Sequence, residues 1–142
     1  MTQEYWLTEG KLRLPETTQD QSITILRLPQ TRATLVVTRA WEIKPGEEEN
    51  YLQQQLAKVR RDMKKFAAQA PQETLFGDLP AREVAMRFEN QGVAVVQRLL
   101  IVKMPTHLLT LTFSRAGSLE ADALLVWQEI KKGFIPAAGV EA

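Results

Sequence analysis

The stretch Val93-Ala94-Val95-Val96-Gln97-Arg98-Leu99-Leu100-Ile101-Val102 decides the fold. It is strand-like, and it is apolar on both of the faces that a strand's alternation creates. Leu35-Val36-Val37, within Thr34–Trp41, repeats the pattern. Antiparallel sheets usually leave one face to water, and a helix pair can cover only the other. A second apolar face therefore calls for a second cover: a hydrophobic groove, a subunit interface, or both.

Outward from this strand, the chain reads as an antiparallel α+β protein. Gly10–Pro15, Ser22–Leu28 and Arg32–Trp41 are expected strands, with Pro15 and Pro29 as natural stops. Lys44-Pro45-Gly46 breaks the chain, and a helix is expected from Glu47 to Ala68. Its apolar stripe is Leu52, Leu56, Val59, Met63 and Phe66. Glutamates open that helix and lysines and arginines close it, an order that suits the helix dipole. Strands follow at Glu73–Leu79, Ala81–Glu89, Val93–Lys103 and His107–Arg115, with Asn90-Gln91-Gly92 and Met104-Pro105-Thr106 as hairpin connections. A last helix, Leu119 to Lys132, takes Ser118 as its N-cap and buries Ala123, Val126, Trp127 and Ile130. The layout predicts an α+β sandwich with a strongly curved sheet in one domain, residues 1–142.

Composition excludes several classes. There are no cysteines, so disulfides, thiolate zinc sites and cysteine nucleophiles are out. A net charge of +1 gives no global field to recruit nucleic acid or an anionic membrane. The Met1-Thr2-Gln3-Glu4-Tyr5 start has no signal-peptide pattern, and no apolar run nears the roughly 20 residues of a membrane span. The expectation is a soluble, cytoplasmic protein without stable membrane insertion.

Catalytic patterns are missing as well. His107 is the one histidine and follows a turn, where a solvated loop residue is the simpler reading. No phosphate-binding, dinucleotide, metalloprotease or serine-hydrolase motif occurs. The chain is expected to be neither an enzyme nor a cofactor protein. The basic segment Lys58-Val59-Arg60-Arg61-Asp62-Met63-Lys64-Lys65 reads as a solvated helix face rather than a nucleic-acid patch. Trp127 belongs to the core, while Trp6 and Trp41 are free to line an interface.

Polar residues on apolar faces are the unusual feature. Gln55 sits inside the stripe of the first helix, and Gln97 shares a strand face with Leu99 and Ile101. Thr34 and Thr38 flank Val36, while Ile23 and Ile25 share one face of their strand. A buried amide without a partner costs about 1–3 kcal/mol. Either neighbouring backbone satisfies these glutamines, or they await a bound apolar segment that supplies hydrogen bonds. Small residues with Thr and Gln are what helices use to approach one another in lipid.

A series of short motifs, in order, covers nearly the whole chain. It runs Glu9-Gly10-Lys11-Leu12-Arg13-Leu14-Pro15, Ser22-Ile23-Thr24-Ile25-Leu26 and Leu35-Val36-Val37-Thr38-Arg39. Gly46-Glu47, Tyr51-Leu52-Gln53-Gln54-Gln55-Leu56, the Gln97 strand, Leu109-Thr110-Leu111-Thr112-Phe113-Ser114 and Trp127…Phe134-Ile135-Pro136 continue it. The series resembles the DcrB-like proteins, and among them the Eag chaperones encoded beside type VI secretion effectors of Gram-negative bacteria. The family often has Ser where Thr38 stands and Arg where Gln54 stands.

That resemblance implies a strongly curved, half-barrel-like antiparallel sheet with two helices packed on one face and an apolar concave groove. It implies a cytoplasmic homodimer that binds the N-terminal hydrophobic segments of an effector, and through the effector meets the secretion spike protein. The groove would comprise Ile23, Ile25, Thr34, Val36, Thr38, Leu99 and Ile101, with Gln55 and Gln97 as polar contacts. Two other classes stay open: a domain that takes a lipid-like small molecule, and a face that is simply a dimer interface.

Overall fold

The computed structural model describes residues 3–41, 43–44, 46–117 and 121–137. Pro45 and the Ser118, Leu119 and Glu120 expected at the start of the last helix lie outside the described residues. In chain order the elements are β1 (Gln3–Trp6), β2 (Lys11–Leu14), β3 (Thr24–Leu28), β4 (Ala33–Ala40), α1 (Glu48–Asp62), β5 (Lys64–Ala68), β6 (Gln72–Phe76), β7 (Leu79–Asn90), β8 (Val93–Lys103), β9 (Leu108–Ala116) and α2 (Ala121–Lys132). β1 and β2 form a separate hairpin. The other strands make a seven-stranded antiparallel sheet in the order β3-β4-β9-β8-β7-β5, with β6 also paired to β7. The sheet stays open, with β3 at one edge.

Turn chemistry sets the register. Asn90 pairs with Val93 across Gln91 and Gly92, whose φ angles of 52° and 78° suit the mirror-image hairpin turn that matches strand twist. At the β6–β7 turn, Gly77 has φ 59°, and an added Cβ would stand 2.5 Å from the Phe134 carbonyl oxygen. Its N–H donates to the Lys131 carbonyl at 2.6 Å, which fastens the turn to the end of α2. Gly77→Ala is expected to cost about 2 kcal/mol or more, from the left-handed backbone and the forced shift together. A melting temperature equal to the parent's would contradict this.

The long strand β8 has a core on each side, as its sequence implied. Leu100 and Val102 join Leu35, Leu111, Phe113 and Trp127 in one cluster. Leu99 and Ile101 join Leu52, Val84, Met86 and Phe88 in another. α2 belongs to the first cluster and α1 to the second. Because neighbouring residues of a strand point to opposite faces, the two helices cover opposite faces of the sheet. The expectation of both helices on one face is corrected here. An amphipathic stripe shows that a helix buries one side, but not which face of the sheet receives it.

A charged network fixes α2. Glu83 accepts from Lys131 Nζ at 2.6 Å, Arg98 at 2.8 Å and Trp127 Nε1 at 3.2 Å, and Lys131 also reaches Thr74 Oγ1. Burial alone would raise the Glu83 pKa. The hydrogen bonds from Lys131, Arg98 and Trp127 outweigh it and hold the group below the usual glutamate value.

α1 is shorter than its sequence pattern. Met63 is already extended (φ −117°, ψ 152°), and Lys64–Ala68 becomes β5, paired with β7. Lys65 has φ 54°, and the register shifts between Lys64 and Ala67. This irregular backbone lets Phe66 join the α1-side cluster from a strand rather than from another helical turn.

Candidate functional site

Strand register arranges the α1 face into rows across the sheet. The middle row is Ile25, Val36, Thr112, Leu99 and Val84. On one side of it lie Arg27, Thr34, Ser114, Gln97 and Met86, and on the other Thr38, Thr110, Ile101 and Arg82. Seven of the nine sequence-identified residues thus share one face by strand pairing. Ile23 lies just before β3, at the same alternation as Ile25, and Gln55 is on α1.

α1 covers only part of these rows. Leu99 and Ile101 are 5% and 6% exposed, packed in the α1-side core. They back the site rather than present a contact surface. At the β3 side, Ile23 and Ile25 are 65% and 66% exposed. Thr34, Val36, Thr38, Thr112, Ser114 and Gln97 are half-buried between these limits. The result is a strip of exposed apolar side chains, small hydroxyls and one amide, open between α1 and the sheet edge.

The flank of α1 that borders the strip follows from its charges. Glu49 bonds Arg82 on β7, so the Glu49 side of the helix faces away from β3. Tyr51 lines a concavity of about 510 Å³ together with Ile23, Thr38, Trp41 and Gln21. Gln55, one turn further, lies on the same flank as Tyr51 and is half-buried. Its amide makes no side-chain hydrogen bond among the described residues. The Gln97 amide has only the Met86 sulfur, at 3.6 Å. Thr110, 5% exposed, has a hydroxyl without a partner among the described residues.

Sequence reasoning missed Tyr51, Thr112, Ser114 and Arg27 as neighbours of the strip. Thr110, Thr112 and Ser114 alternate with Leu109, Leu111 and Phe113, so β9 carried a readable signal.

A polar clasp closes one end. Asp20 accepts from Tyr5 Oη and from the Ser22 N–H, its main-chain oxygen accepts from Trp41 Nε1 at 2.8 Å, and Arg39 stands 4.0 Å away. Burial pushes the Asp20 carboxyl up, but the bonds from Ser22 and Tyr5, with the Arg39 charge, bring it down to about 2. The same bond to Asp20 is the main cause that raises the Tyr5 pKa. His107 is not a freely solvated loop residue. It is half-buried with its ring 4.3 Å from that of Trp41, and burial followed by the Arg39 charge lowers its pKa.

Asp20 also gives a pH prediction. A carboxylate depressed by folding stabilises above its unfolded pKa and loses that contribution as pH falls through the folded value. The clasp should therefore weaken between the ordinary aspartate value of 3.8 and about 2. Tyr5 ring resonances should move over that window in the parent and not in Asp20→Asn. An identical titration in both would refute the assignment.

No helix among the described residues is long and apolar enough to cross a membrane. No curated protein matches the chain significantly. Among solved structures, the fold is similar to that of PA94, a protein of unknown function from Pseudomonas aeruginosa described as a candidate regulator. The TM-score is 0.77 at 20% identity, and the match covers 96% of this chain and 97% of that one. At that identity the likeness concerns the fold alone. The model of the DcrB family matches residues 9–133, so the chain belongs to the DcrB family.

Proposed function

We propose that this DcrB-family protein is an Eag-type chaperone of type VI secretion. It binds the N-terminal hydrophobic segments of a cognate effector, shields them from water, and helps deliver the effector to the secretion spike. It acts in the cytoplasm as a homodimer, without a cofactor. The observation that carries this reading is the pair of exposed isoleucines, Ile23 and Ile25, beside the Val36, Thr34 and Thr38 strip that α1 leaves uncovered.

The physics is an exchange of one apolar surface for another. A membrane-prone helix in water exposes hydrocarbon at roughly 25 cal/mol per Å². Laying it on Ile23, Ile25 and Val36 removes that area from water. Hydroxyls of Thr34, Thr38 and Thr112 and the amides of Gln55 and Gln97 are placed to bond polar groups on the helix surface. The partly unpartnered state of both amides suits such a visitor.

Co-expression with the N-terminal hydrophobic segment encoded by the neighbouring effector gene tests the reading. A soluble complex recovered by pull-down is the expected result. A segment that is insoluble with or without the protein would reject it.

A second reading has one observation in its favour. A concavity of about 450 Å³ between α1 and β6–β7 is lined by Leu52, Leu75, Pro80, Ile101 and Leu108, with Glu48, Arg82 and Lys103 at its rim. Its size and apolar walls suit a lipid-like small molecule. Native mass spectrometry of the purified protein would reveal such a ligand.

A further inference from the structure

The strip is electrically lopsided along its length. α1 runs beside it, and its first turn is tied to the Ile101 end of the sheet by Glu48–Lys103 (3.4 Å) and Glu49–Arg82 (3.3 Å). Its last turn carries Arg60 and Arg61, and the chain then enters β5 at Lys64, opposite Glu89, beyond the Gln97 row. The acidic end of α1 therefore lies beside the Tyr51–Gln21 concavity, and the basic end beside the Thr34–Gln97 row.

The sheet edge repeats this polarity. Arg27 stands in the Thr34 row and donates to Thr34 Oγ1 at 2.9 Å. It has no carboxylate partner among the described residues, and neither has Arg32 in the adjoining β3–β4 turn. At the opposite end Gln19, Gln21, Ser22 and Tyr51 surround the concavity together with Arg39, whose charge is offset by Asp20 at 4.0 Å. From Gln21 to the β3–β4 turn the edge spans about 25–30 Å at ~3.3 Å per residue. A 20-residue helix is about 30 Å long.

We propose that the strip sets the direction of the helix it holds, with the helix C-terminus at Arg27 and Arg32 and its N-terminus at the Tyr51–Gln21 concavity. The proposal rests on the chaperone reading above and adds a polarity to it. The occupant is an apolar helix, and charge complementarity chooses its sense. Unpaired carbonyls at a helix C-terminus attract cations, whereas its N–H groups seek neutral or anionic acceptors such as glutamine carbonyls and hydroxyls. The occupant runs parallel to α1, and that does not oppose the arrangement. Acids in the first turn of α1 and bases in its last already offset its own dipole.

The test uses an acetylated, amidated 20-residue Ala/Leu peptide with one photo-crosslinking residue in either its first or its last turn. Crosslinked sites on the unaltered protein are mapped by mass spectrometry of proteolytic fragments. The C-terminal probe should label the 27–34 segment about fivefold more than the N-terminal probe does. The N-terminal probe should favour residues 19–23 and Tyr51.

Arg27→Glu should bring the labelling ratio within the bound peptide near one, and a ratio still about fivefold in that variant would overturn the direction. Binding with equal labelling at both ends, or with the sense reversed, overturns the direction and leaves the chaperone reading standing. No binding at all removes the occupant and both readings together. Labelling that vanishes as protein concentration rises would assign the strip to a second copy of the chain, which also overturns the direction.

Discussion

Replacing Glu83 with alanine is expected to lower the unfolding free energy by about 3–5 kcal/mol. The carboxylate is buried, and so is Lys131, which it meets at 2.6 Å. Removing Glu83 would leave the Lys131 ammonium with Thr74 Oγ1 at 3.4 Å and the Trp127 ring face at 5.6 Å but no carboxylate, and would strip the Trp127 indole of its acceptor. The cost arises mainly from that stranded charge, not from the attraction lost. Glu83→Gln keeps an acceptor and should cost clearly less. Glu83→Leu with Lys131→Met should recover much of the loss, because neither side chain then carries a charge into the core. Urea midpoints at constant slope would measure all three. A cost under about 1 kcal/mol for Glu83→Ala would mean that the network behaves like a surface ion pair. The sign with pH follows from the depressed carboxyl: its contribution is full above the usual glutamate range and fades as pH falls through the folded value.

Ile25→Asp should abolish client binding, by about a hundredfold or more, while the melting temperature stays close to the parent's. Ile25 is 66% exposed on the edge strand, so little of the core depends on it. A bound apolar helix would have to bury the new carboxylate without a partner. Ile25→Val, which keeps the apolar contact, should retain most binding. The contrast with Leu99 is informative. Leu99→Ala would leave a cavity beneath α1, so any loss of binding there would be confounded with lost stability. A client that stayed soluble and bound to the Ile25→Asp protein would move the binding surface off the strip.

Much of this architecture was legible in the residues, and the gaps have identifiable causes. The double-faced β8 was readable because apolar residues occupy both alternations from Leu99 to Val102. The α+β class followed from turn residues at Pro29, Asn90-Gln91-Gly92 and Met104-Pro105-Thr106 between β-branched runs, whereas the turn at Gly77 was hidden inside an expected strand Glu73–Leu79. The tail of α1 was not readable, because Met63 and Phe66 continue a helical spacing although Phe66 reaches its cluster from β5. The Glu83–Lys131 pair left no local trace, since its members are 48 residues apart. Within each strand, alternation placed Ile23 with Ile25 and Thr34 with Val36 and Thr38. Whether those separate strands show the same face depends on register, which only the turns decide. They do share a face here, and Gln97 joins them. The burial of Leu99 and Ile101 was hidden because their parity says which face they join, not how far α1 reaches across it.

The division of β8 between two cores bears on how such a protein can change over generations. Residues that hold the fold together lie between the sheet and its two helices: Leu100, Val102, Phe113, Trp127 and the Glu83 network on the α2 side, and Leu52, Val84, Leu99 and Ile101 on the α1 side. Ile23, Ile25, Thr34 and Thr38 lie on the α1 face, beside that helix rather than beneath it, and support little above them. Substitutions there can drift with little penalty to folding, while those beneath either helix are constrained. On the proposed chaperone reading, recognition and stability would be separately heritable in this chain, so relatives could diverge in what they bind while keeping one scaffold.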